Sequence, residues 1–487
     1  MFYQSTRGDQ HLVTSTKAVL KGIANDGGLY MPKNINYSKF DWQTLMTLST
    51  KEMAERILCF FLDDFIDPEG IVSRAYDNKF DTEELTPLVK VGDKYVLELF
   101  HGPTSAFKDV ALSVLPQLMV EAKKAEHEKK KIVILTATSG DTGKAALEGF
   151  HDVDGIDIIV FFPDGGVSTV QKLQMVTQVG KNVHSCAVKG NFDDCQTGVK
   201  NIFNQVSQSG LPGNAEVVLS SANSINIGRL VPQVVYYFKA YAELLKAGAV
   251  KLDDKVDYTV PTGNFGDILA GYFAKKLGLP IGNLICASNK NNVLTDFINT
   301  GVYNKKREFY KTTSPSMDIL VSSNLERLLY MVSYEDSKLV KSLMDDLSSK
   351  GEYTIPDEIR ERIQTEFKAD FATDEQASQA IKTVWENNKY LMDTHTATAW
   401  SVAEKFKSEV PMVVLSTASP YKFPKAVSKA LGLKPLDDEF EIMNSLSKFT
   451  STKVPKNLAE LKEKEVRFTD VIEKDKMLDY VIATVNK

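Results

Sequence analysis

Cysteine is scarce: the 487 residues hold four, Cys59, Cys186, Cys195 and Cys286, and no two form a CxxC pair. Neither a zinc site nor a disulfide framework is therefore indicated, no metal is expected, and the four read as small buried hydrophobes in a reducing compartment. Long apolar runs are also missing. Ile158–Phe162 and Ile132–Leu135 are among the longest, far short of the roughly 18 residues that cross a bilayer. The opening MFYQSTRGDQ puts polar residues where a signal peptide needs its apolar stretch, so a cytoplasmic chain without a membrane partner is expected. Asn36-Tyr37-Ser38 is then a chance glycosylation triplet. Positive charge is not in excess: 58 Lys and Arg face 64 Asp and Glu, for a net charge of −6, and no long basic cluster occurs. Nucleic acid is not an expected partner. Among the six histidines none sits in an HExxH arrangement, and there is no GxSxG elbow for an esterase-type serine.

What is present is the composition of an ordinary globular protein, 43% hydrophobic, 25% charged and 9% aromatic, which excludes a disordered or fibrous chain. The length suggests roughly three domains. Residues 1–95 read as an N-terminal domain, mixing polar turns with a helical stretch around Gln43–Phe61 that Asp41 could cap, and closing near Thr86-Pro87. After it, short apolar runs alternate with Gly-containing turns and amphipathic stretches. Lys131–Thr136, Asp157–Phe162, Val217–Ser220, Tyr258–Val260 and Met412–Leu415 are the apolar runs. Such alternation demands a mostly parallel sheet buried on both faces, so the fold class is α/β. Residues 96–250 read as a smaller α/β domain and residues 251–487 as a larger one. Residues 304–390 depart from the pattern and read as a polar, mainly helical insertion.

In open sheets of this kind ligands bind outside the carboxyl ends of the strands, so the turns carry the chemistry. Gly263-Asn264-Phe265-Gly266-Asp267 follows a strand and opens a helix. Two glycines allow close backbone approach, and the free N–H groups of the first helical turn suit a phosphate without a cationic side chain. A tight turn that binds nothing is the alternative. A second copy, Gly190-Asn191-Phe192-Asp193-Asp194, lacks the second glycine, places two carboxylates where an anion would sit and reads as structural. Ser139-Gly140-Asp141-Thr142-Gly143-Lys144 is not a nucleotide P-loop, since Ala145 stands where the magnesium-binding hydroxyl is needed. Its hydroxyls at a helix start can hold a carboxylate or a small phosphate ester. His101–Asp109 precedes a long helical stretch reaching about Lys131. Lys108, at a helix start beside an aromatic ring, experiences influences that disfavour its charge and can serve as an amine nucleophile or base. His395, in Asp393-Thr394-His395-Thr396-Ala397, reads as a helix-start residue or a functional one.

Taken together, these segments are more specific than any one of them. His101–Asp109 resembles the lysine motif of the threonine synthase family, pyridoxal-phosphate enzymes of fold type II. Gly263–Asp267 is similar to that family's cofactor-phosphate loop and Ser139–Gly143 to its substrate loop. Further matching stretches are Asp26–Pro32, Asn223–Asn226 with Arg229, Ser314–Asp318, and Ser416–Pro420 with Lys422 and Phe423. They occur in order from residue 26 to about residue 423, as in the long form of the family with its own N-terminal domain.

The resemblance implies a Schiff base between Lys108 and the aldehyde of pyridoxal 5'-phosphate. It also implies a cofactor phosphate on Gly263, Asn264, Phe265, Gly266 and Asp267, and Thr417 at the pyridine nitrogen. The implied reaction is that of a lyase in threonine biosynthesis, from O-phospho-L-homoserine and water to L-threonine and phosphate. For the phosphorylated substrate, Ser139 and Thr142 are expected at one of its anions, with Asn226 and Arg229 as further contacts. Asp141 is expected with them among the substrate-binding residues, although a carboxylate there would repel an anion unless it turned away, stayed protonated or oriented a neighbouring hydroxyl. Two alternatives stay open at this point. One is another fold type II lyase, such as a serine or threonine dehydratase or a β-replacing synthase. The other is a catalytically silent homologue that binds a phosphorylated ligand.

Overall fold

A computed structural model describes residues 1–212 and 216–486. Its strands are β1 (Phe2–Ser5), β2 (Val13–Thr14), β3 (Tyr30–Pro32), β4 (Leu88–Val91), β5 (Lys94–Glu98), β6 (Lys131–Ala137), β7 (Ile156–Pro163), β8 (Val183–Lys189) and β9 (Val217–Ser220). They continue as β10 (Val256–Pro261), β11 (Ile281–Ser288), β12 (Val302–Asn304), β13 (Glu352–Thr354), β14 (Phe367–Phe371), β15 (Met412–Ser416) and β16 (Val471–Glu473). The smaller main sheet runs β16-β8-β7-β6-β9 and is parallel throughout. The larger runs β14-β11-β10-β15-β5-β4 and is parallel except for the β4–β5 hairpin at its edge. An antiparallel β2-β1-β3 sheet gathers the N-terminal residues. Ile132, Ile134, Ile158, Val160, Tyr258, Val260, Val413 and Leu415 are all but inaccessible, as strands covered by helices on both faces require.

Five apolar runs of the sequence thus become β6, β7, β9, β10 and β15, whereas the boundaries drawn between domains cut across the sheets. β5 straddles residue 95 and pairs with β15 in the larger sheet, Val413 opposite Tyr95. β16, far along the 251–487 segment, joins the smaller sheet beside β8, with Val471 opposite Ala187. The helix that follows, Met477–Val485, buries Met477, Val481 and Val485 against Cys186, Val188 and Val199. Without β16, β8 would be an unprotected sheet edge. The 304–390 insertion is likewise not purely helical, because its β14 forms the outer strand of the larger sheet next to β11.

Two local expectations change for identifiable reasons. The stretch 43–61 is not one helix capped by Asp41. Ser49 and Glu52 form a capping box that starts a helix at Thr50, and a short 3-10 turn, Gln43–Thr47, precedes it. The stretch after Lys108 also divides, into Lys108–Leu112 and Leu115–Ala125, with Pro116 in the first turn of the second helix. All four cysteines are free, three of them buried and Cys59 exposed. No described helix is long and apolar enough to cross a membrane, and no metal-holding cluster of His, Cys, Asp and Glu occurs among the described residues.

Candidate active site

The turns at the carboxyl ends of β6, β9, β10 and β15 open onto one cavity of about 850 Å³, within the size range of small-molecule sites. Lys108, Ser139, Asp141, Thr142, Arg229, the turn 263–267 and Thr417 all line it. Sequence positions far apart thus meet because parallel strands deliver their following turns to the same side.

Lys108 is the first residue of its helix, and Phe107, in the capping position, supplies no side-chain cap. The Phe107 N–H donates to the Thr417 carbonyl at 2.8 Å, and the Ser419 N–H donates to the Ser105 carbonyl at 3.1 Å. An isolated bridge between Ala106 and Ala418 completes the clamp, so the turns carrying Lys108 and Thr417 are tied directly to each other. The amine lies 4.6 Å from the centre of the Phe107 ring. Burial pulls its ammonium down to about 8, against the Asp141 carboxylate, with Lys422 and Arg229 adding to the pull. Lys108 is therefore an amine that releases its proton unusually easily. Behind it, Asp109 accepts from the Thr104 N–H at 2.8 Å and the Thr104 hydroxyl at 2.5 Å, which braces the turn before the helix.

The turn 263–267 presents an uncapped helix. Phe265, at φ +62°, occupies the capping position of Gly266–Lys276 without a side-chain cap, and its buried ring packs on Phe367 at 5.6 Å. The loop carbonyls are held from outside: Gly263 accepts from Ser322 Oγ at 2.8 Å, and Asn264 accepts from the Asn324 N–H at 3.0 Å. A Cβ on Gly263 would lie 2.7 Å from the Ser316 carbonyl, so only glycine fits there. Asp267 accepts at Oδ1 from the Tyr236 hydroxyl at 2.5 Å and the Tyr237 hydroxyl at 3.1 Å, while Oδ2 is buried without a partner. Burial pushes this carboxyl up to about 7, against the two hydroxyls. A neutral Asp267 can donate a hydrogen bond to a phosphate where a carboxylate would repel it.

These features fit the cofactor that the sequence implies. A buried reactive amine, helix N–H groups left without a cap, a carboxyl with one oxygen unpartnered and a glycine-tight turn share one cavity of sufficient size.

The substrate loop is built differently. Thr138 Oγ1 accepts from the N–H groups of Gly140 at 3.0 Å and Gly143 at 2.9 Å, leaving Ser139 and Thr142 on the cavity wall. Asp141 is neither turned away nor protonated. Lys422, fully buried, donates to its Oδ1 at 2.7 Å, and Gln171 donates to the same oxygen at 3.0 Å. Despite burial, Lys422 and Lys108 hold the Asp141 carboxyl well below the usual range. Arg229 is buried, donates from Nη1 to the Ala222 carbonyl at 2.9 Å and keeps a buried Nε without a partner.

Asn226 is a correction. It does not line the cavity: its Oδ1 caps the helix Ile227–Leu230 through the Gly228 N–H at 2.9 Å, and its Nδ2 donates to Val19 and Ser221 carbonyls at 2.9 and 3.1 Å. With every polar atom engaged, it positions Arg229 three residues on and has nothing left for a substrate.

Some wall residues carry no mark in the sequence pattern. Arg7, Lys21 and Asn25 of the N-terminal segment line the cavity, and Arg7 is fixed by a two-pronged pair with Glu326 at 2.9 and 2.7 Å. No spacing signals them. His395 is a helix-start residue, as anticipated, in a helix capped by Asp393, and it also reaches the cavity. Its Nδ1 lies 2.7 Å from Asp393 Oδ2, and its Nε2 accepts from the Ser316 N–H at 3.2 Å. It thereby anchors the 314–318 turn, whose Ser316 Oγ donates to Asp141 Oδ2 at 3.3 Å.

Comparison with known proteins agrees with this geometry. A family model described as pyridoxal-phosphate dependent enzyme matches residues 81–417, which places the chain in that class of catalysts. Models for the threonine synthase N terminus and C-terminal region match residues 2–76 and 396–482. Threonine synthase of Pseudomonas aeruginosa is 40% identical over 479 residues, covering 96% of this chain and 95% of that one. The crystal structure of threonine synthase from Brucella melitensis with bound pyridoxal phosphate superposes with a TM-score of 0.87 at 39% identity, covering all of both chains. The human threonine synthase-like 1 is 38% identical over 443 residues, 87% of this chain, and the chain spans 58% of that relative's length. The chain belongs to the threonine synthase family.

Proposed function

We propose that the protein converts O-phospho-L-homoserine and water to L-threonine and phosphate, with pyridoxal 5'-phosphate held at Lys108. The observation that supports this reading is that two surfaces suited to anions share a single cavity with one buried amine. The first is the uncapped turn 263–267, suited to the cofactor phosphate. The second is formed by Ser139, Thr142 and the guanidinium-bearing Arg229, suited to the carboxylate and phosphate of the substrate. A dehydratase or a β-replacing synthase acting on an unphosphorylated amino acid would bring only a carboxylate to the second surface and needs no second phosphate site.

When bound, pyridoxal phosphate accepts the electrons left behind as the substrate loses its α-proton. The chain supplies the rest. Lys108 would hold the cofactor through its amine, and Nζ, weakly basic and buried, takes protons from the substrate carbons. Thr417, clamped to the Lys108 turn, would face the pyridine nitrogen with a neutral hydroxyl. Arg229, buried and charged, stabilises phosphate as it leaves. Asp141 does not bind the substrate anions. Its charge is already matched by Lys422, which removes the repulsion that an unpaired carboxylate in this loop would create.

The test is steady-state turnover with phosphohomoserine, serine and threonine. Phosphate and threonine released from the first, with slow or no turnover of the others, is the expected result. Comparable ammonia release from serine or threonine would overturn it in favour of a dehydratase.

A further inference from the structure

Three of the charged groups around the cavity form a buried chain with an unequal middle. Asp141 sits between two lysines, with Lys422 Nζ 2.7 Å from its Oδ1 and Lys108 Nζ 3.8 Å from its Oδ2. The first distance is a charge-assisted hydrogen bond and the second is not. Lys422 also donates to the Thr104 carbonyl at 3.1 Å. It lies at the end of the short turn Pro420–Lys422 and, being wholly inaccessible, has no freedom to point elsewhere. The mechanism proposed above makes no direct use of it.

We propose that Lys422 is a positioning residue that keeps the Lys108 amine free to react by taking the Asp141 carboxylate for itself. The proposal rests on the reading of Lys108 as the reacting amine.

The physics is a competition. One carboxylate cannot fully neutralise two buried ammonium groups, and an unmatched charge away from water is costly. The cluster sheds that cost by releasing a proton from whichever amine is paired less well. Lys422 has a carboxylate and a carbonyl as acceptors, and Lys108, 3.8 Å from the same carboxylate, is the amine that gives its proton up. Were Lys422 neutral, Asp141 would have no other cation so close, and its attraction would hold the proton on Lys108, leaving no lone pair for attack or proton transfer. The other charged groups facing Lys108 do not reverse this ordering. Asp109, on its own helix, favours the charge and Arg229 opposes it. Asp267, across the cavity, is the carboxyl that burial has already raised towards neutrality.

The test uses the holoenzyme. Excess methylamine displaces Lys108 from the cofactor, and after dilution the return of the Lys108-linked absorbance is followed against pH, since only the neutral amine can attack. In the wild type the rate should rise with a midpoint near 8. In Lys422→Gln, which keeps hydrogen-bonding atoms but no charge, the midpoint should move up by about one unit or more, a tenfold smaller reactive fraction at neutral pH. Lys422→Arg should restore the wild-type midpoint. An unshifted midpoint in folded, cofactor-loaded Lys422→Gln overturns the proposal, because a merely structural lysine would change stability and leave the profile in place. Should that variant not accumulate, Lys422→Met/Asp141→Asn carries the test. With both charges removed the midpoint should fall to or below that of the wild type, and a raised one overturns the competition. A wild-type protein with no Lys108-linked absorbance would overturn the reading of Lys108 and this proposal with it.

Discussion

Two turns in this molecule begin with the same three residues, Gly190-Asn191-Phe192 and Gly263-Asn264-Phe265, and both open a helix. At the first, Asn191 Oδ1 accepts from the Asp194 N–H and Asp194 Oδ2 accepts from the Asn191 N–H, each at 2.9 Å. This capping box satisfies the helix start from within, as expected of a structural turn; the side chain of Asp193 lies outside the described residues. At the second, Asn264 uses its carbonyl to tie down the loop, Phe265 takes the left-handed conformation, and no side chain caps the helix. The difference teaches that a shared tripeptide does not make a site. A helix start becomes an anion receptor when its own side chains leave the N–H groups unclaimed and aim them into a cavity.

The largest effect expected concerns the amine beside the receptive turn. Lys108→Ala should lower turnover by about a thousandfold or more, because one group performs both attachment and proton transfer. Borohydride reduction followed by mass spectrometry should then find no cofactor mass on the chain. Turnover close to wild type would break the link between this turn and the chemistry.

Next comes the turn itself. Gly263→Ala forces a methyl group towards the Ser316 carbonyl and should weaken cofactor retention by about tenfold, measured by dialysis and absorbance. If Gly190→Ala released as much cofactor, the distinction between the two turns would fail.

A smaller effect concerns Asp267, the acidic residue that closes the receptive turn. The Asp267 carboxyl is raised to about 7, so it is neutral below that pH and ionised above it. A raised carboxyl favours the folded, phosphate-holding state at low pH and loses that advantage as pH climbs through 7. Cofactor retention in the wild type should fall over that window and stay flat in Asp267→Asn, while Asp267→Ala retains less cofactor than wild type at pH 6. A wild-type curve without a step near 7 counts against the neutral acid.

The smallest effect belongs to the self-capped turn. Asn191→Ala removes the cap and should cost about 1 kcal/mol, seen as a lower Tm, with turnover per folded molecule unchanged. Loss of activity at unchanged Tm would assign that turn a role in binding.

Much of the site is legible in the amino-acid sequence because its parts are local. A lysine opening a helix, a two-glycine turn and a hydroxyl-bearing loop each declare themselves within about ten residues, and parallel topology then brings them together. What the sequence hides depends on partners distant along the chain. Asp141 looks incompatible with an anionic substrate until Lys422 is placed against it. Asn226 looks like a ligand, yet its side chain is spent on Val19, Ser221 and Gly228. Arg7 carries no local mark at all. The fold divides the same way: strongly apolar strands such as β6 and β7 are evident from composition alone, whereas β16, three residues with exposed ends, is a strand only because β8 offers it an edge.

β16 also sets a condition on how the protein is made. Its strand and the helix after it back the helix Phe192–Ser209, which presents Phe192, Gln196, Val199 and Lys200 to the cavity. The lobe bearing Ser139 therefore stays one strand short until the ribosome has passed residue 473 and the exit tunnel has released that segment. Catalytic competence is expected to arise only after residues 471–485 have been made and released, however early the larger sheet begins to form.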